Sequence, residues 1–119
     1  MSTVHVPNIN QRRRIPAQAI DDVARQIVEK FKPQKIILFG SYARRQPRPE
    51  SDVDLLVVMN TSLTETEQAV RILQAIEYHF GLDLLVRTPE NLAHRLRLGD
   101  PFLREIIAEG TVIYERVDG

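Results

Sequence analysis

The sequence has no cysteine. Disulfides, thiolate nucleophiles and cysteine-ligated zinc are therefore excluded, and nothing in the chain calls for an oxidising compartment. No apolar run approaches the ~20 residues of a membrane span. The polar stretch from Met1 to Arg14 has no apolar core of signal-peptide length, so the expectation is a cytoplasmic protein with no membrane partner. An excess of charge is missing too. Lysine plus arginine and aspartate plus glutamate number sixteen each, so the net charge gives no argument for a general nucleic-acid or membrane binder.

What remains is an ordinary globular composition, 43% hydrophobic and 27% charged over 119 residues, which fits one domain. Residues 1–15 read as a flexible arm ending in Arg12-Arg13-Arg14, either a solvated tail or a contact for an acidic partner. Residues 16–119 read as a single domain.

Pro16 opens a helix whose apolar face is Ile20, Val23, Ala24, Ile27, Val28 and Phe31, and Pro33 ends it. Lys35 to Phe39 is a short apolar run, a strand buried on both faces. Gly40-Ser41 breaks it, and Tyr42 to Arg45 forms the first turn of a short helix. Pro47 and Pro49 make the next stretch a loop. Val53 to Met59 is a second strand. Thr64 and Glu67 then form a capping box for a helix carrying Ala69, Ile72, Leu73, Ile76 and Phe80 inward and stopped by Gly81. A third strand spans Leu82 to Val86. Helices follow from about Glu90 to Leu98 and from Phe102 to Glu109, separated by Gly99-Asp100-Pro101. Thr111 to Val117 is a final alternating strand. The fold class is mixed α/β (α+β), a small mixed sheet flanked by helices.

Three acidic residues stand at the heads of apolar strands. Asp52 and Asp54 are two apart, so in a strand they project to one side. Two like charges so close disfavour joint ionisation, and a divalent cation relieves that. Oxygen-only ligands select Mg²⁺ or Mn²⁺, whose other ligands are commonly waters and phosphates. Taken alone, Asp52 can equally cap a turn and Asp54 lie on a solvated face. Charges heading an apolar strand are nevertheless a local conflict of the kind found at functional sites. Asp83 heads Leu84-Leu85-Val86 in the same way. It completes a two-metal site or takes an acceptor's proton, or it is a plain turn residue. Gly40-Ser41 follows a buried strand, where glycine lets backbone approach a phosphate and Ser41 adds a hydroxyl. With a helix starting at Tyr42, free N–H groups would favour an anion there; the alternative is an ordinary strand-to-helix turn. Arg44, Arg45 and Arg48 flank this loop, as phosphate forks or as a solvated basic loop. His5, His79 and His94 have no ligand spacing, and His79 is placed at a helix end.

The order Gly40-Ser41-x-Ala43-Arg44, Ser51-Asp52-x-Asp54-Leu55-Leu56-Val57 and then Asp83 resembles the DNA polymerase beta-like nucleotidyltransferase superfamily. It is most similar to the minimal nucleotidyltransferase (MNT) proteins, with Phe102 to Ile106, Gly110, Val112 and Tyr114 extending the resemblance. The resemblance implies that Gly40, Ser41, Arg44 and Ser51 hold the triphosphate of ATP, and that Asp52, Asp54 and Asp83 form an acidic triad binding Mg²⁺ (or Mn²⁺). It implies transfer of AMP to an acceptor hydroxyl with release of pyrophosphate. Larger relatives carry a helical acceptor domain for which this chain has no residues, so the acceptor is expected on a partner or across an oligomer. The implied partner is a HEPN-type toxin, neutralised as in HEPN–MNT toxin–antitoxin modules by adding AMP to a tyrosine. Two alternatives stand beside this: an antitoxin that neutralises by binding alone, and an aminoglycoside-type small-molecule nucleotidyltransferase. Arg45 stands where many members have glycine.

Overall fold

A computed structural model describes residues 15–44 and 52–117. Four strands form one sheet in the order β3-β2-β1-β4: β1 Lys35–Phe39, β2 Val53–Val58, β3 Leu82–Arg87 and β4 Thr111–Glu115. β1 pairs antiparallel with β2 and with β4, whereas β2 and β3 are parallel. The parallel pair needs a crossover. It is supplied by helix α2, Glu65–Ala75, while α1, Ala17–Phe31, precedes the sheet and α3, Pro89–Arg97, and α4, Pro101–Glu109, lie between β3 and β4. Residues 1–14 of the arm, Arg45, Arg48 and Ser51 lie outside the described residues.

Strand alternation divides the core into two layers. Ile36, Val53, Leu55, Val57, Leu84 and Val86 face Ile20, Val23, Ala24 and Ile27 of α1 and Ala69 and Ile72 of α2. Ile37, Leu56 and Val58 face the other way, against Leu103 and Ile106 of α4, with Leu92 and Leu96 of α3 at the margin. This second layer is smaller, because α3 and α4 are nine residues each against the fifteen of α1.

The expected elements are present, and the differences have local causes. Pro16 is the N-cap of α1 in an extended conformation rather than its first helical residue. The helix after Thr64 stops at Ala75, not at Gly81, with Ile76 extended at φ −112° and ψ 159°. Its end is held by α1: the Gln26 amide donates to Glu77 O at 2.9 Å and accepts from Glu77 N at 2.8 Å, and Lys30 donates to Ala75 O. Such long-range capping leaves no local signal, and it removes His79 from any helix end. Tyr78 and Phe80 instead pack their rings together and against the larger core layer. β4 ends at Glu115, and its alternation is broken by a register shift opposite Ile36 and Ile37. The extra residue is the one expected of a bulge, and Ile113 and Tyr114 both reach the larger layer.

Candidate active site

The C-terminal end of β1 and the N-terminal ends of β2 and β3 meet at one end of the sheet, a consequence of β1 running against the other two. Register then brings distant residues together. Phe39 is the partner of Asp54 across β1 and β2, and Asp54 is the partner of Asp83 across β2 and β3. Asp54 alternates with Leu56 and Val58, so its carboxylate lies on the sheet face of α3 and α4.

Asp54 is the one part-buried residue in a strand whose other five positions are buried. Its carboxyl is pushed up to about 6 from 3.8. Burial is the largest cause, followed by the charge of Asp83, a side-chain hydrogen bond with Asp83, and the charge of Asp52. Each of these disfavours a lone carboxylate. Asp83 itself is exposed. Asp52 stands one residue before β2, also exposed, and its carboxylate is turned against Gly81, where a built Cβ would lie 2.0 Å from Oδ1.

Gly40 is required twice over. Its φ is +74°, and a Cβ there would lie 2.2 Å from Asp54 Oδ2. The turn that begins at Gly40 is a three-residue 3₁₀ turn, Gly40–Tyr42, closed by Ala43 N and Arg44 N donating to Gly40 O at 3.1 and 3.2 Å. The expected helix from Tyr42 to Arg45 is thus replaced by an earlier and tighter turn, too short for an appreciable helix dipole. Tyr42 is fixed by accepting from Ile15 N at 2.9 Å. Ser41 sits within this turn, part-buried. Arg44 leaves the turn toward α4, with Nε 3.2 Å from Glu109 Oε1 and Nη2 3.3 Å from Glu105 Oε1. A small cavity of about 150 Å³ under this arginine is lined by Phe39, Gly40, Phe102 and Ile106 among others. The ring of Phe102 meets Phe39 edge-on at 5.9 Å.

Five of the seven residues singled out from sequence therefore converge on one end of the sheet: Gly40, Ser41, Asp52, Asp54 and Asp83. Arg44 borders them while engaged with α4, and Ser51 lies outside the described residues. The glutamate partners of Arg44 were not foreseen, because a contact between Arg44 and residues more than sixty positions away depends on where α4 docks. The steric role of Gly81 was also missed, although a glycine two positions before Asp83, matching Asp52 two before Asp54, was visible.

The sequence pattern of the family described as "Polymerase beta, Nucleotidyltransferase" matches residues 22–118. The chain belongs to that nucleotidyltransferase family. Among its relatives, a protein of Methanocaldococcus jannaschii described as a candidate protein adenylyltransferase is 26% identical over 88 residues, covering 74% of this chain and 83% of the relative. A second such protein of the same organism is 29% identical over 100 residues, covering 82% of this chain and 96% of the relative. Among solved structures, a candidate nucleotidyltransferase of Sulfolobus solfataricus superposes with a TM-score of 0.60 at 16% identity, over 86% of this chain and 82% of that one. A toxin–antitoxin structure with AMP-PNP superposes with a TM-score of 0.53 at 21% identity, over 86% of this chain and 75% of that one. At these identities the superpositions establish the nucleotidyltransferase fold.

A divalent cation suits the donor set. Among the described residues no three His, Asp or Glu side chains stand together as a ready-made metal cage. Magnesium, however, is commonly held by one or two carboxylates, with substrate phosphates and water completing its shell. Asp54 and Asp83 offer such an open pair, and the upward push on Asp54 marks the negative charge that a cation would neutralise.

Proposed function

We propose that this nucleotidyltransferase moves AMP from ATP to a hydroxyl of a partner protein and thereby acts as an antitoxin, the partner being a HEPN-type toxin and the acceptor a tyrosine. The observation that carries the catalytic part is the Asp54–Asp83 register pair beside Gly40, with Asp54 pushed up to about 6. The choice of a protein acceptor is supported by the relatives. The M. jannaschii protein aligned over 96% of its length is described as a candidate protein adenylyltransferase, so that description attaches to a unit matched almost whole by this chain. The toxin–antitoxin setting is supported by the likeness to a toxin–antitoxin structure containing AMP-PNP, together with the sequence resemblance to MNT proteins.

Asp52, Asp54 and Asp83 would hold Mg²⁺ or Mn²⁺, which supplies charge neutralisation on the phosphate oxygens. The Gly40–Ser41 turn offers backbone and the Ser41 hydroxyl close to the acids for a phosphate, and the missing Gly40 side chain lets the Asp54 carboxylate lie against that turn. By the resemblance, Ser51 and Arg44 would complete the phosphate contacts. Arg44 reaches them by exchanging its half-exposed glutamate partners, a small loss because exposed ion pairs are worth roughly 0–1 kcal/mol. In the reaction the acceptor oxygen bonds to the α-phosphorus, and the bond to the bridging oxygen breaks. Pyrophosphate leaves with that electron pair, and the hydroxyl proton passes to Asp83, the exposed member of the pair.

Intact-mass measurement of a co-expressed partner, with and without ATP and Mg²⁺, tests this reading. The expected result is addition of one or more AMP masses with wild type and none with Asp54→Asn. Neutralisation of the partner without added mass, unchanged in Asp54→Asn, would establish binding alone. Turnover of an aminoglycoside with ATP in the absence of any partner would replace the protein acceptor with a small molecule.

A further inference from the structure

Gly81 is a glycine for a reason the backbone does not supply. The left-handed glycines among the described residues are Gly40 and Gly99; Gly81 has a φ that any residue can adopt. What singles it out is its neighbour. A Cβ on Gly81 would lie 2.0 Å from Asp52 Oδ1, 2.8 Å from Asp52 Cγ and 3.5 Å from Oδ2. The first two are distances at which atoms cannot coexist. The carboxylate of Asp52 rests on the bare Cα of Gly81.

The parallel ladder fixes this contact. Val53 pairs with Leu82 and Asp54 with Asp83, and Val53 N donates to Gly81 O at 2.9 Å. One step earlier along the same ladder, Asp52 falls beside Gly81. The two strand heads therefore read Asp-x-Asp on β2 against Gly-x-Asp on β3. The aspartate of β3 faces the second carboxylate of β2, and the glycine leaves the space that the first carboxylate occupies.

We propose that Gly81 is a positioning residue for the transfer reaction, leaving free at the head of β3 the place in which the Asp52 carboxylate lies. Any side chain at position 81 drives the Asp52 carboxylate from that place and so changes what it can offer to a cation shared with Asp54 and Asp83. The inference rests on the proposed metal-dependent function and adds a residue to its machinery. Because Asp52 is exposed and its side chain can swing into solvent, the displacement costs the fold little. Loss of function without loss of stability is the signature.

The experiment is a double-mutant cycle on Mn²⁺ binding, read by the paramagnetic resonance signal of free Mn²⁺, with wild type, Gly81→Ala, Asp52→Asn and the double variant. Displacing a residue that orients a ligand costs about 10–100-fold in metal affinity, and that loss is expected for Gly81→Ala. If Gly81 acts through Asp52, the double variant binds no more weakly than Asp52→Asn alone. Unfolding midpoints of wild type and Gly81→Ala in EDTA are expected to coincide. Wild-type affinity in Gly81→Ala, or losses that multiply in the double variant, would overturn the proposal. Absence of Mn²⁺ binding in wild type counts against the metal site itself. In that case a crystal structure of Gly81→Ala decides: an Asp52 carboxylate displaced from its place beside residue 81 supports the positioning role, and one unmoved refutes it. Should Gly81→Ala fail to fold, Asp52→Ala in the same background is expected to restore folding, because the clash is with that side chain alone, and failure to restore it overturns the proposal.

Discussion

Replacing Asp54 with asparagine should shift relative stability in favour of the variant as pH rises toward neutral, in the absence of divalent cations. Asp54 is raised from 3.8 to about 6, so between these values the folded chain binds more protons than the unfolded chain. Stability then falls as pH rises across that window. Two pH units at 1.36 kcal/mol each set an upper bound of about 3 kcal/mol. The carboxyl is only part-buried, and solvent screening reduces this to about 1–2 kcal/mol. Asparagine keeps the shape and cannot ionise. The measurement is urea unfolding of wild type and Asp54→Asn in EDTA at half-unit steps from pH 4 to 7.5. The difference between the two proteins is expected to change with pH in favour of the variant by about 1–2 kcal/mol, with most of the change between pH 4 and 6. Any constant offset reports the altered pairing with Asp83 and not the titration of residue 54. A difference that is flat with pH, or that moves in favour of wild type as pH rises, would refute the view that burial and the two neighbouring carboxylates hold this group in tension. The interpretation is a trade of stability for function, since the group would be costly without a cation.

Mg²⁺ at a hundred times its dissociation constant should stabilise wild type by about 2.7 kcal/mol, a rise in melting temperature that Asp83→Asn should diminish and EDTA reverse. Gly40→Ala should lose about 1–2 kcal/mol from the left-handed φ alone and should also displace the Asp54 carboxylate, so chemical denaturation and nucleotidyl transfer should both be impaired, unlike Gly81→Ala. Gln26→Ala removes both hydrogen bonds to Glu77. A loss of about 1–2 kcal/mol is expected, with faster amide exchange at Glu77; unchanged exchange there would show that α1 does not cap α2.

The sequence by itself determined the elements and much of the candidate site. Helical periodicity over Ile20 to Phe31, the apolar runs of β1, β2 and β3, and the cap at Thr64 are local signals, and each is borne out in the fold. The motif order Gly40-Ser41, Asp52-x-Asp54, Asp83 pointed to the nucleotidyltransferase family, to which the chain belongs. Period-two alternation put Asp52 and Asp54 on one side without any knowledge of the sheet.

Only the tertiary structure decided what those residues meet. That Asp83 lies beside Asp54 depends on β2 and β3 being register partners, and registers are set by the packing of both sheet faces rather than by either strand. The early stop of α2 was set by Gln26 and Lys30 reaching across from α1, and the orientation of Arg44 by carboxylates on α4. In each case the deciding partner is far away in the chain, so no local pattern carries it.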